Sequence, residues 1–347
     1  MHMAQKYIGF AGTYTRESSE GIYRFVLDAE AGKLEAAEVA AKVGSPTYLA
    51  ISEDKRQLYS VAQQDGLGGV HAYEIVSDSG ELHYVNEKLE EGAPPCHLDI
   101  QNGVLVTGNY HKGTVDLFQA HRPSALALKG TVQHEGNGPH ERQEKPHVHC
   151  TAQTPDGRYV IVADLGTDEL VTYKIEGQAL VKVATLHVEP GSGPRHLAFH
   201  PDGKTAYLMT ELSSEVIVLD YDADQGSFTE KQKIKAIPSD FNETNDASAI
   251  HITSDGKFVY TGNRGHNSIA VFQVDEETKE LTLIEITSTG GNWPRDFVLD
   301  PSESFIVASN QKSGNLVLFA RDQKTGKLTQ LDSVVDVPEV VCVKFLG

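Results

Sequence analysis

The sequence predicts an all-β fold, a seven-bladed β-propeller, because two marks recur along it about every fifty residues. The first mark is a leucine or phenylalanine that follows a short turn signal: Leu34, Leu82, Leu126, Leu180, Phe228, Leu281 and Leu328. The second mark leads into a short apolar run: Pro46, Pro95, Val148, Pro194, Ala247, Pro294 and Pro338. A constant spacing carried by β-type segments is typical of a radial repeat.

One repeat, residues 194–230, shows what each unit contains. Short apolar runs at 195–199, 206–209 and 216–221 are separated by turn residues, and a further run begins at Phe228. The segment 201–204, Pro-Asp-Gly-Lys, is a turn sequence between two strand-like runs. Each repeat therefore predicts four antiparallel strands, which is one blade.

The two ends of the chain predict how the ring closes. The N-terminal segment supplies a second strand (7–12), a third (21–27) and a fourth from Leu34, but no first strand. The C-terminal run 340–345 matches a first strand. We expect these segments to join in one blade, which removes two unpaired sheet edges. The marks continue without a linker, so we predict a single domain over residues 4–347.

Composition limits the classes of partner. Acidic residues exceed basic ones by 49 to 30, a formal net charge of −19, which argues against nucleic acid or an anionic membrane as partner. No apolar stretch approaches the roughly 20 residues that span a bilayer. The three cysteines favour a reducing cytoplasm over a disulfide framework. We expect a cytoplasmic monomer or weak homo-oligomer.

The propeller prediction also says which distant residues meet. The loop that enters the first strand of a blade and the loop between its second and third strands open on the same face, around one funnel. The first position holds Thr47, Cys96, His149, Arg195, Ser248, Arg295 and Glu339. The second strand ends at Asn109, Asp164, Thr210, Asn263 and Asn310, followed by Tyr110, Leu165, Glu211, Arg264 and Gln311. Such polar and cationic residues indicate a site for a small, oxygen-rich anion.

One loop that enters the funnel, residues 136–149, is long and polar, and such loops on rigid scaffolds often carry function. Arg142 and Lys145 in this loop could reach over the funnel and hold a phosphate. The candidate substrate-binding residues are therefore Arg142, Lys145, His147, Asn109, Asp164, Asn263, Arg295 and Asn310. Some residues of the funnel have structural alternatives: Arg195 and Glu211 could form an ion pair, and Asp164 could cap its own loop.

The stretches 138–149, 193–196, 209–212, 262–266 and 292–297 together resemble the seven-bladed lactonase family, the bacterial propeller-type 6-phosphogluconolactonases. The fold is shared with fungal carboxymuconate lactonizing enzymes, whose site is thought to use a histidine, two arginines and a glutamate. By position, this resemblance implies catalytic roles for His149, Arg195, Glu211 and Arg264.

The resemblance implies a lactone as substrate, and we expect hydrolysis of a sugar lactone, 6-phospho-D-glucono-1,5-lactone, without a cofactor. The arginines of the funnel would repel a divalent cation, which favours a mechanism without a metal. Glu211 or His149 would take a proton from water, and Arg195 and Arg264 would stabilise the oxyanion. Three alternatives remain open at this point. They are a lactonizing cycloisomerase acting on a muconate-type dicarboxylate, a metal-dependent sugar lactonase that uses the funnel's carboxylates and amides, and a non-catalytic scaffold.

Overall fold

A computed structural model describes residues 5–120 and 126–347, and the predicted start of the domain at residue 4 lies just outside them. The described residues form strands joined by turns and loops and contain no helix. The strands make seven separate sheets arranged as a closed ring. The predicted all-β, seven-bladed propeller is therefore confirmed.

Six blades take their four strands consecutively from the chain. Blade 1 contains β5 (Leu49–Ile51), β6 (Gln57–Gln64), β7 (Leu67–Ile75) and β8 (Leu82–Glu91), and blade 2 contains β9 (His97–Gln101), β10 (Val104–Asn109), β11 (Thr114–Gln119) and β12 (Ala127–Gln133). Blade 3 contains β13 (Val148–Gln153), β14 (Val160–Asp164), β15 (Glu169–Glu176) and β16 (Ala179–His187). Blade 4 contains β17 (Pro194–Phe199), β18 (Thr205–Thr210), β19 (Glu215–Asp222) and β20 (Ser227–Lys235). Blade 5 contains β21 (Asp246–Ile252), β22 (Phe258–Arg264), β23 (Ser268–Val274) and β24 (Leu281–Ser288), and blade 6 contains β25 (Pro294–Leu299), β26 (Phe305–Asn310), β27 (Asn315–Arg321) and β28 (Leu328–Asp336).

Blade 7 joins the two ends of the chain, as the sequence predicts. The C-terminal strand β29 (Val340–Phe345) pairs antiparallel with β1 (Lys6–Thr13), which pairs with β2 (Gly21–Asp28). The fourth strand of this blade is broken into two pieces, β3 (Lys33–Leu34) and β4 (Glu38–Lys42), and both pair with β2.

The core lies between blades. Each apolar cluster combines residues of two neighbouring sheets: one joins Tyr207 and Val218 of blade 4 to Val259 and Phe272 of blade 5. Equivalent clusters fill the other interfaces around the ring. Both faces of a blade are buried in this way, which explains the near-continuous apolar runs of the middle strands. In the described part of the chain, no helix is long and apolar enough to cross a membrane.

The closing strand also completes two of these interfaces. Val340 and Val343 belong to the cluster between blades 6 and 7, where Phe345 packs edge-on against Phe25 with ring centroids 5.5 Å apart. Cys342 belongs to the cluster between blades 7 and 1. Removing β29 therefore exposes apolar surface on two sides and unpairs the edge of β1.

Deletion of residues 340–347 should abolish cooperative folding, because the ring loses its closing strand and part of two apolar interfaces. Thermal unfolding followed by circular dichroism measures this effect. Deletion of Gly347 alone, which leaves β29 whole, is the control. A truncated chain that melts as cooperatively as the full chain would contradict the closure.

Candidate active site

β-Bulges at the start of the inner strands turn the key side chains out of the ladder. In blade 4, Pro194 pairs with Thr210 and His196 pairs with Met209, so Arg195 between them has no partner. His149 in blade 3 and Arg295 in blade 6 occupy the same unpaired position. A bulge re-aims a side chain relative to the regular strand. In each of these three blades, the bulge thus presents one residue at the mouth of the funnel.

Glu211 is the centre to which the charged groups of the funnel converge. It follows β18, and only 1% of its side chain is exposed. Its Oε2 lies 2.9 Å from Nε of Arg195 and 2.7 Å from a terminal nitrogen of Arg264. Nε2 of His149 lies 3.6 Å from the same oxygen. The structure therefore brings together the four predicted catalytic residues, which come from three consecutive blades.

The long loop adds a third guanidinium. Arg142 forms an ion pair with Oε1 of Glu211 and a second one, at 2.9 Å, with Oδ1 of Asp246. About a third of the Arg142 side chain is exposed, at 36%, so it lies between Glu211 and solvent. The buried amide of Gln143 anchors the loop by donating to Leu165 O at 2.8 Å and accepting from the backbone N–H of His140.

Backbone carbonyls of blade 5 fix the two buried arginines. Arg264 donates from Nε to Asp246 O at 3.1 Å and from a terminal nitrogen to Ala247 O at 3.0 Å. Arg195 donates across the blade boundary to Ser248 O. With these bonds both guanidiniums are satisfied on several sides, as buried charges must be. Their positions are therefore set before any substrate arrives.

This packing shifts the pKa values of the cluster. Burial would raise the pKa of Glu211, but the charges of Arg264 and Arg195 outweigh it and hold the pKa well below 4.5. Burial and the neighbouring Arg264 charge lower the pKa of Arg195 to about 10. Burial and the charge of Arg195 also hold the pKa of His149 well below 6.5. At neutral pH the site therefore combines an ionised glutamate, charged arginines and a neutral imidazole.

Aromatic contacts orient the histidines of the long loop. The ring of His147 stacks on Tyr110 with centroids 4.2 Å apart, and His147 Nδ1 lies 2.9 Å from Tyr110 O. Tyr110 also contacts His149, whose ring it meets edge-on with the centroids 5.5 Å apart. His147 thus supports the loop beside His149, while its predicted contact with substrate stays a prediction.

The three asparagines predicted to bind substrate have other contacts. Each one, at the end of a second strand, is nearly or fully buried and donates to a carbonyl of the segment that enters its own blade. The acceptors are Ala93 O for Asn109, Ala236 O for Asn263 and Thr289 O for Asn310, at 2.8, 2.8 and 3.2 Å. These contacts give the amides a structural role. The predicted role in substrate binding gains no support from them.

Asp164 has a similar position and similar contacts. It is fully buried, and its Oδ1 accepts from the backbone N–H groups of His147 and Gly166 at 2.8 and 2.9 Å. Its Oδ2 lies 2.7 Å from Nδ1 of His134. This is the loop cap that the sequence offered as the alternative to substrate binding.

Lys145 and Arg295 lie at the rim with different surroundings. Nζ of Lys145 donates to His111 O at 2.8 Å, which fastens the long loop to blade 2. The guanidinium carbon of Arg295 lies 5.6 Å from the centroid of the Tyr14 ring. Among the described residues, no carboxylate lies within ion-pair distance of Arg295.

Sequence reasoning missed two residues of the site and misplaced one. Asp246 was not a candidate, although an aspartate at the start of an inner strand next to the funnel was a usable signal. Tyr14, which follows β1 as Glu211 follows β18, was omitted because only five of the seven blades were aligned at this position. Glu339 was assigned to the inner-strand position, but the bulge in blade 7 places Val341 there.

Comparison with known proteins assigns the chain to a family. It belongs to the family described as Lactonase, 7-bladed beta-propeller, whose model matches residues 8–345. The resemblance drawn from the funnel motifs is thereby confirmed.

Three relatives cover nearly the whole chain. A Bacillus subtilis (strain 168) protein named 6-phosphogluconolactonase is 52% identical over 344 residues, which are 98% of this chain and 99% of that protein. A solved structure of a Lactobacillus plantarum protein has a TM-score of 0.94 at 42% identity, covering 99% of this chain and 100% of that one. The Pseudomonas aeruginosa periplasmic gluconolactonase has a TM-score of 0.93 at 30% identity, covering 99% of each chain.

Replacing Glu211 by glutamine should lower the free energy of unfolding by about 3 kcal/mol or more at neutral pH, because three guanidiniums lose their shared counter-charge. The depressed pKa of Glu211 means that its stabilisation is complete above 4.5 and is lost as pH falls below that value through the folded-state pKa. The difference between Glu211→Gln and the unmodified chain should therefore shrink in acid.

Urea unfolding at a series of pH values measures this difference. Glu189→Gln is the matched control, since Glu189 forms an exposed ion pair with Lys233 at 2.9 Å on the same blade. Equal stability of Glu211→Gln and the unmodified chain at neutral pH would show that the cluster is not held by this carboxylate.

Proposed function

We propose that this protein hydrolyses a sugar lactone, 6-phospho-D-glucono-1,5-lactone, to 6-phosphogluconate, the lactonase step of the pentose phosphate pathway. The observation that carries the proposal is the convergence of His149, Arg195, Arg264 and Arg142 on the buried carboxylate of Glu211. The name of the Bacillus subtilis relative supports the reaction and the phosphorylated substrate.

The arginines stabilise the oxyanion that forms during the reaction. As water attacks the lactone carbonyl, negative charge develops on the carbonyl oxygen, and preorganised donors stabilise it without reorganising. Arg142 is the most exposed guanidinium of the cluster, and Arg195 lies behind it in contact with the same glutamate. A removed donor of this kind costs roughly 3 kcal/mol of transition-state stabilisation.

His149 is the base that the electrostatics favour. Glu211 accepts from three guanidiniums and has a pKa held well below 4.5 by Arg264 and Arg195 against burial, so it is a weak proton acceptor. His149 is neutral at pH 7, and its Nε2 faces Glu211 at 3.6 Å. Its Nδ1, which lies 4.0 Å from Sγ of Cys96, is then the nitrogen that accepts the proton. Glu211 then stabilises the imidazolium and fixes the arginines.

The steps balance without a further reagent. Water adds to the lactone carbonyl carbon while its proton passes to His149. The ring C–O bond of the tetrahedral intermediate then breaks, and the imidazolium returns the proton to the departing ring oxygen. The product is an open-chain acid with a free hydroxyl group, and no covalent enzyme intermediate forms.

The arrangement favours hydrolysis without a metal over the metal-dependent alternative. In the part of the chain that the structure describes, no group of three or more histidine, cysteine, aspartate or glutamate side chains is arranged to hold a metal ion. The funnel's central carboxylate is enclosed by guanidiniums, which repel a divalent cation. We expect the protein to act in the cytoplasm as a monomer or weak homo-oligomer without a cofactor.

His149→Asn should lower kcat by about 100-fold or more, the loss typical of a removed general base, while leaving the fold intact. The measurement is hydrolysis of freshly generated 6-phosphogluconolactone, corrected for its spontaneous opening. Because the pKa of His149 lies below 6.5, the unmodified enzyme should keep full kcat at pH 6.5 and lose activity only in more acid solution.

The matched control is His187→Gln, which removes a histidine with 71% of its side chain exposed on an outer strand. Near-normal kcat in His149→Asn would remove this residue from the mechanism. Turnover of a muconate but of neither phosphorylated nor plain gluconolactone would replace hydrolysis by the cycloisomerase alternative.

A further inference from the structure

Two arginines at the rim of the funnel share one aromatic ring and lack an acidic partner. The guanidinium carbons of Arg16 and Arg295 lie 4.0 and 5.6 Å from the centroid of Tyr14. Among the described residues, neither has a carboxylate within ion-pair distance. Two cations held against one ring repel each other, and an anion bound nearby offsets this repulsion. Such a pair is unexpected in a chain of net charge −19.

The fold holds this pair in place. The backbone N–H groups of residues 16 and 17 donate to Oε1 and Oε2 of Glu339 at 3.2 and 2.9 Å, and Tyr14 N–H donates to Glu339 O at 3.1 Å. The Glu339 carboxylate is thus bound to the backbone of the loop that carries Arg16. Glu339 itself adopts a φ of 54°, which a residue other than glycine rarely does. The backbone of this loop is therefore fixed by specific contacts, and it carries the exposed side chain of Arg16, which lies against Tyr14.

The pair lies beside the catalytic cluster. Arg295 occupies the same bulge position as His149 and Arg195, on the next blade but one from Arg195. Burial, Glu211 and the positive charge of Arg295 all act on the pKa of Arg264, which is lowered. The cluster around Glu211 and the pair of arginines thus face the same funnel.

The cations of the long loop are less suited to hold a phosphate. Arg142 is already paired with Glu211 and Asp246, and Lys145 donates to a backbone carbonyl. A guanidinium matches phosphate oxygens with two parallel hydrogen bonds, and two guanidiniums match the charge of a dianion.

We propose that Arg16 and Arg295, positioned by Tyr14 and Glu339, bind the phosphoryl group of the lactone and set the preference for a phosphorylated substrate. This inference rests on the proposed function, since it assigns the second end of the same substrate. It makes the loop between β1 and β2 a specificity determinant, while the cluster around Glu211 acts on the lactone carbonyl.

The test compares kcat/KM for 6-phosphogluconolactone and for plain gluconolactone. Arg16→Ala and Arg295→Ala should each lower the ratio of the two kcat/KM values about tenfold or more, the loss of one charge-assisted hydrogen bond. Arg158→Ala removes the same charge from a surface pair with Asp224 and should leave the ratio unchanged. Equal losses on both substrates would overturn the assignment, as would a fall in the ratio for Lys145→Ala but not for the two arginine variants.

Calorimetric binding of 6-phosphogluconate and gluconate tests the subsite without turnover. The unmodified protein should bind the phosphorylated acid more tightly, and Arg16→Ala should remove the preference. If the protein opens neither lactone but shows this preference, the proposed reaction fails and the subsite stands. Equal affinity for the two acids overturns the subsite. Inorganic phosphate that binds as tightly as 6-phosphogluconate would indicate a free-phosphate site and overturn it as well.

Discussion

The candidate site depends on one buried carboxylate. Three guanidiniums from two blades and a loop would repel each other if they were brought together alone. Glu211 makes their assembly possible, because its two oxygens accept from Arg195, Arg264 and Arg142 at once. The carboxylate gives up most of its basicity in return. We therefore propose that Glu211 organises the cations and the imidazole, and that the proton transfer falls to His149.

The ring of blades makes this arrangement possible, because every blade offers the same two positions to the funnel. The bulge of the inner strand supplies His149, Arg195 and Arg295, and the residue after the second strand supplies Glu211. Residues next to these positions in the sequence make structural contacts. Asn263, for example, ties its strand to the entering segment and lies next to Arg264. In blade 5, a structural residue and a residue of the proposed catalytic cluster are thus neighbours in the sequence.

The sequence was sufficient for the fold because its repeat is long-range and redundant. Seven copies of a turn followed by an apolar residue fix the blades even where one copy is irregular, as in the broken fourth strand of blade 7. The convergence of His149, Arg195, Glu211 and Arg264 followed from the same alignment, since equivalent positions in a propeller must lie around one axis. The repeat thus carried information about the site as well as the fold.

The sequence could not show which polar side chains would point into the funnel. An asparagine at the end of a strand can cap a loop or bind a ligand, and only the positions of Ala93 and Ala236 show that Asn109 and Asn263 cap. Bulges also have no clear sequence signal. The predicted register of the first strand of blade 7 was therefore wrong, and Glu339 was misplaced. Arg16 was overlooked because its loop lies in the blade formed by both chain ends, where the alignment is weakest.

We propose that the funnel has one end for the lactone carbonyl and another for the phosphoryl group. A crystal structure with bound 6-phosphogluconate tests it most directly. The product carboxylate should lie beside His149 and Arg142, and the phosphate should contact Arg16 and Arg295. A product bound in the reverse orientation, or bound away from the funnel, would contradict it.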